Sequence, residues 1–132
     1  MFVNYVCRDD RKELSQTQEF ESLSWEQVEE AIRNLDGERY SYLMMSPSDQ
    51  DASEYCFGIR AAEMGIYICN FYDGDEYYLI NPEGKDLSKV LQIGEFEFYS
   101  ETEFTGIEDT IKAARTYFES GIMEPSLTWE KL

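Results

Sequence analysis

Ile66-Tyr67-Ile68-Cys69-Asn70-Phe71-Tyr72-Asp73-Gly74-Asp75-Glu76-Tyr77-Tyr78-Leu79-Ile80 decides the fold class. Two runs of β-forming residues flank Asp73-Gly74, a dipeptide suited to a type I′ turn because both of its central residues need positive φ. A two-residue turn predicts that Tyr72 faces Asp75, Asn70 faces Tyr77 and Ile68 faces Leu79 on one side. Tyr67, Cys69, Phe71, Glu76, Tyr78 and Ile80 then share the other side.

Elements extend outward from this hairpin in both directions. Upstream, Phe2 to Arg8 reads as a first strand, Asp9 to Ser22 as a polar connection, and Tyr40 to Met45 and Tyr55 to Arg60 as further strands. Ser24-Trp25-Glu26-Gln27 matches a capping box, and Trp25, Val28, Ile32 and Leu35 fall on one face of a helix that Gly37 is expected to stop. Downstream, Asn81 to Gly84 reads as a loop, and Leu87 to Ile93 leads into a strand from Glu95 to Phe104. Thr105-Gly106-Ile107-Glu108 repeats the capping-box pattern and opens a second helix, with Ile107, Ile111, Ala114 and Phe118 on one face and Gly121 at its end. After Pro125, Leu127 and Trp129 alternate with polar neighbours in a short closing strand. Strands clustered between two helices predict an α+β fold, an antiparallel meander-like sheet covered by two amphipathic helices. Residues 1–132 suit a single domain.

The charge is one-sided. Eleven Lys+Arg against 28 Asp+Glu leave 11 − 28 = −17, and there is no histidine. Histidine triads and histidine metal sites are thereby excluded. A polyanion of this kind repels phosphate backbones and anionic lipid surfaces, so neither nucleic acid nor a membrane is an expected partner, and a basic protein is. Ten Tyr, eight Phe and two Trp argue for a folded core over a disordered acidic tail. Cys7, Cys56 and Cys69 lie in apolar or aromatic surroundings without metal-like spacing, which predicts buried free thiols in a reducing compartment. The first residues lack a basic lead and a long apolar run, so a cytoplasmic location is expected.

The acid is also unevenly placed. In an extended Glu95–Phe104 strand, Glu95, Glu97, Tyr99, Glu101 and Glu103 would share one face, with Phe96, Phe98 and Phe104 on the other, and the carboxylates would recur roughly every 6.6 Å. From Asp73 to Asp109 there are eleven acidic residues and two lysines, a net of 2 − 11 = −9. Charged outward positions ordinarily protect a sheet edge. Like charges along one face nevertheless repel, and their clustering here points to a basic partner. Asp73, Asp75, Glu76, Glu95, Glu97, Glu101 and Glu103 are the candidate binding carboxylates, and Tyr72, Tyr77 and Tyr99 the candidate aromatic anchors. Paired carboxylates arise by abundance among 28 acids, and the serines and cysteines have no histidine base, so catalysis is not expected. Asp73-Gly74-Asp75-Glu76 lacks the third oxygen ligand and the sixth-position glycine of a calcium loop. No cofactor or metal is expected.

The run Ile107-Glu108-Asp109-Thr110-Ile111-Lys112-Ala113-Ala114-Arg115-Thr116-Tyr117-Phe118-Glu119-Ser120-Gly121, with Pro125 and Trp129 after it, resembles a family of small acidic bacterial immunity proteins encoded beside polymorphic toxins, often of the deaminase class. The shared pattern is an amphipathic helix ending in an aromatic residue, then a glycine, a proline and a strand with a closing tryptophan. The resemblance implies a non-enzymatic protein that inhibits a cognate toxin in the cytoplasm by binding it 1:1 as a monomer. Such a toxin would present a basic groove for nucleic acid, which an acidic surface would occupy. A non-enzymatic adaptor or regulatory domain that binds another basic protein, such as a DNA-binding regulator, is the alternative.

Overall fold

A computed structural model describes residues 1–12, 16–21, 23–63, 66–81, 90–93, 97–100 and 105–132. Their elements are β1 (Tyr5–Asp10), β2 (Gln16–Glu19), α1 (Trp25–Arg33), β3 (Tyr42–Ser46), β4 (Cys56–Glu63), β5 (Ile66–Tyr72), β6 (Glu76–Ile80), β7 (Val90–Ile93), β8 (Glu97–Ser100), α2 (Ile107–Ser120) and β9 (Thr128–Lys131). Seven strands form one antiparallel sheet in the order β2-β1-β3-β4-β5-β6-β9, and β7 pairs with β8 in a separate small sheet. The run β3-β4-β5-β6 is a meander, and the architecture is the α+β one read from the sequence.

Both helices lie on one face of the large sheet. Val28, Ile32 and Leu35 from the first helical segment and Ala114, Tyr117 and Phe118 from α2 join Val6, Leu43, Met45, Phe57, Ile59, Cys69 and Leu79 in one core. Tyr117 is its aromatic hub. Its ring stacks on Phe57 at 5.4 Å and meets Phe71 and Phe2 edge-on at 5.8 and 5.5 Å. Trp25 packs on Phe118 at 5.7 Å between the helices, and Trp129 meets Phe57 at 6.3 Å. Offset and edge-to-face rings of this kind add to what their buried area already contributes.

The helix signals hold at the first start and the last stop. Ser24 is the N-cap of α1, its hydroxyl accepting the Gln27 amide at 3.2 Å. Gly121 ends α2 at φ 73, its amide donating to the Tyr117 carbonyl at 2.8 Å. The other two ends differ. Asn34 caps α1, three residues before Gly37, which sits instead in the following turn at φ 79. Gly106, not Thr105, is the N-cap of α2, and no side chain bonds there. Thr105 is held by the sheet: its N–H donates to the Tyr67 carbonyl at 2.8 Å and its carbonyl accepts the Tyr67 N–H at 3.0 Å. Its hydroxyl lies 3.0 Å from that of Thr110 in a buried polar cluster with Cys69. Tertiary pairing thus outbids the local cap. The buried stripe of α2 is also rotated, so that Thr110, Ala113, Ala114, Tyr117 and Phe118 are buried while Ile107 and Ile111 are half-buried.

Three further corrections concern strands. The first strand runs from Tyr5 to Asp10 and not from Phe2 to Arg8. Gln16–Glu19, inside the expected Asp9–Ser22 connection, pairs with β1 as an edge strand; it is polar throughout, so hydrophobic alternation could not reveal it. The central hairpin has a three-residue turn, Asp73 to Asp75, with Tyr72 opposite Glu76, Phe71 opposite Tyr77 and Asn70 opposite Tyr78. This register turns Tyr77 and Leu79 to the helix side with Cys69 and Phe71. A slip by one residue exchanges the two faces, and burial of Leu79, 1% exposed, selects the register that places it inward.

Within the expected Glu95–Phe104 strand, the described strand is Glu97–Ser100, with Glu97 opposite Ile93 and Tyr99 opposite Leu91. All three cysteines are free, Cys7 and Cys69 buried and Cys56 only half-buried.

Candidate functional site

The register places Tyr72, Glu76 and Tyr78 on the sheet face that carries no helix. Asp73 and Asp75 are exposed at the tip of the same hairpin, beside Gly74 at φ 105. The Asp75 amide donates to the Asp73 carboxylate at 3.3 Å, and Lys131 lies 3.4 Å from the Asp75 carboxylate. Five of the ten candidates are therefore located on or beside this hairpin, but Tyr77 is separated from the rest. It packs edge-on against Phe71 at 6.1 Å and borders the core. Glu97 and Tyr99 belong to β8, in the separate small sheet. Glu95, Glu101 and Glu103 lie outside the described residues.

The fold adds carboxylates that are distant in sequence. Cys56 pairs with Tyr72, so the connection from β3 to β4 emerges at the same end of the sheet as the Asp73–Asp75 turn. That connection carries Asp49, Asp51 and Glu54, all exposed, and Tyr55, 44% exposed. The short run Asp49-Gln50-Asp51-Ala52-Ser53-Glu54-Tyr55 holds the signal in the sequence, an acidic and aromatic composition like that of the hairpin. Only antiparallel pairing shows that the two belong to one surface.

The helix-free face continues inward from this rim as tyrosine. The Tyr78 hydroxyl donates to Glu76 at 3.0 Å, and the Tyr5 hydroxyl to Glu19 at 3.4 Å. Burial first, and then neighbouring thiol and carboxylate charge, pushes Tyr5 up to about 12. Burial likewise pushes Tyr42 up to about 12. These phenols stay neutral through the physiological range, with their O–H groups available as donors. Tyr42 lies across Gly58, where a Cβ would come within 3.2 Å of its ring, and the guanidinium of Arg60 sits 5.1 Å from the centre of that ring. Burial also raises the Cys7 and Cys56 thiols, which disfavours their thiolate forms as nucleophiles.

Two hollows of about 500 and 250 Å³ border β2 and α1. Arg8 lines the smaller, its guanidinium 3.7 Å over the Tyr40 ring and donating to Gln18 at 2.9 Å. Among the described residues no group of three His, Cys, Asp or Glu side chains converges as a metal site, and no described helix is long and apolar enough to cross a membrane. The arrangement offers hydrogen-bond acceptors, negative charge and ring faces, which are means of binding. Compared with protein-family models and with curated proteins, the chain matches none.

Proposed function

We propose that the protein is a non-enzymatic immunity protein, which binds a basic toxin in the cytoplasm as a monomer and blocks the groove where that toxin holds nucleic acid. The observation that carries this reading is the gathering of the exposed carboxylates of Asp49, Asp51, Glu54, Asp73 and Asp75, with the half-buried Glu76, at one end of the sheet in a chain of net charge −17. A positive groove attracts such a surface over long range, which speeds encounter, and contact then excludes the phosphate backbone by occupying its place. The resemblance of Ile107–Gly121, Pro125 and Trp129 to immunity proteins supports the same reading and suggests a deaminase or nuclease as the target.

Co-expression with the product of the adjacent gene tests it. A 1:1 complex by light scattering, with loss of the partner's deamination or cleavage of nucleic acid, is the expected result. An adjacent product that neither binds nor acts on nucleic acid would sink the proposal. Capture of a DNA-binding regulator in its place would support the adaptor alternative. Replacing both Asp73 and Asp75 by lysine is expected to weaken the toxin complex by about tenfold or more at low salt, because the attraction becomes a repulsion at the rim.

A further inference from the structure

Tyr72 has a feature the other tyrosines of the helix-free face lack. Tyr5 and Tyr78 are bonded to carboxylates, and Tyr42 lies under Arg60. Tyr72 is half-buried on this face; its backbone pairs with Cys56 and Glu76, yet among the described residues its side chain makes no hydrogen bond or ring contact, and it is not part of the core cluster. Its register partner is Glu76, and the next residue along the chain is the exposed Asp73. An unengaged ring flanked by carboxylates offers two things at once, a flat π-face and anionic acceptors.

We propose that the acidic end of the helix-free face, centred on Tyr72 and Glu76, docks arginine side chains of a basic protein. The inference rests on the reading of the chain as a binder of a basic protein, and adds where the partner sits and which side chain it presents. A guanidinium can stack on a tyrosine ring while its N–H groups fork onto a neighbouring carboxylate, whereas an ammonium is a compact, strongly hydrated charge without a stacking plane. Among the described residues the fold already holds arginine on tyrosine three times, Arg60 over Tyr42 on this same face and Arg8 and Arg39 over Tyr40 elsewhere. Charge selects among occupants. A second copy would bring another −17 and the same acidic rim, and nucleic acid or anionic lipid would be repelled.

The test is an NMR titration of the isotopically labelled full chain with an octa-arginine peptide and, separately, an octa-lysine peptide of equal charge. Amide shifts on octa-arginine binding are expected to centre on Tyr72 to Tyr78 and on Glu54 to Gly58, with tighter binding than octa-lysine. Tyr72→Leu is expected to lower affinity for octa-arginine about three- to thirtyfold, the range of one cation–π contact, and to leave octa-lysine affinity within about twofold. Tyr72→Phe retains the ring and is expected to retain binding, which separates a lost contact from a damaged fold. Shifts centred on Glu26 and Glu29 of α1, or equal affinity for the two peptides with no effect of Tyr72→Leu, would overturn the proposal. If octa-arginine binds this face but the adjacent-gene product does not bind, the toxin reading fails and the docking face stands. If the toxin complex forms while octa-arginine binds elsewhere, the docking face fails alone.

Discussion

Gly121 carries two constraints. Its φ of 73 is in the left-handed region that a side chain disfavours, and a Cβ there would lie 2.7 Å from atoms of the Phe2 ring. Gly121→Ala is therefore expected to cost about 1 kcal/mol or more, read as a lower urea midpoint. The position was legible in the sequence because a glycine after an amphipathic run is a local signal. Its contact with Phe2, more than a hundred residues away, was not. The thiols divide in the same way. All three sit among apolar residues in the sequence, yet burial differs, with Cys69 fully enclosed and pushed up to about 11 while Cys56 is half-buried. Iodoacetamide near neutral pH is expected to label Cys56 first and Cys69 only after denaturation, and mass spectrometry of digested peptides would show the order. Early labelling of Cys69 would mean that the packing of α2 on the sheet opens readily.

Elements respond to signals of different range. The Ser24 cap is local, so Ser24→Ala is expected to cost about 1 kcal/mol by loss of one amide partner. Thr105 carries the same motif but is buried against Tyr67 and Thr110. Thr105→Val keeps the shape of the side chain and leaves the Thr110 hydroxyl in a poorer network, at an expected cost of about 1–3 kcal/mol. Urea denaturation of the two variants distinguishes a cap from a buried hydroxyl network, and a Thr105→Val effect well below that of Ser24→Ala would contradict the network. The β5–β6 hairpin was predicted by Asp73-Gly74, but its register was not, because turn residues admit two or three positions and burial of Leu79 makes the choice. That single-residue difference is what moves Tyr77 to the core side and leaves Tyr72 with Glu76.

Charge belongs to the whole molecule. At −17 the folded state repels itself, so raising salt from about 0.01 M to about 1 M, which shortens the Debye length from about 30 Å to about 3 Å, is expected to raise Tm in calorimetry. The same change is expected to weaken binding of a basic partner, so stability and affinity move in opposite directions. Alkali acts through half-buried tyrosine. Tyr5 and Tyr42 have folded values near 12, above the unfolded value near 10. Their contribution is complete below about pH 10 and is lost as pH rises toward 12, because the unfolded chain releases those protons first. Tm is accordingly expected to fall between about pH 10 and 12, and an unchanged Tm across that window would mean that these phenols are not withdrawn from water as the fold places them.

By itself the amino-acid sequence determined the fold class, the central hairpin, the start of α1, the end of α2 and the net charge of −17. Those properties depend on composition or on residues within a few positions of one another. Tertiary structure alone decided the register of the hairpin, the polar edge strand β2, the burial of Thr105 and the placement of the Asp49–Glu54 and Asp73–Glu76 segments at one end of the sheet. Each of these follows from pairing between distant segments, where the burial of a few apolar side chains outweighs local preference, and it is this pairing that assembles the acidic end of the helix-free face.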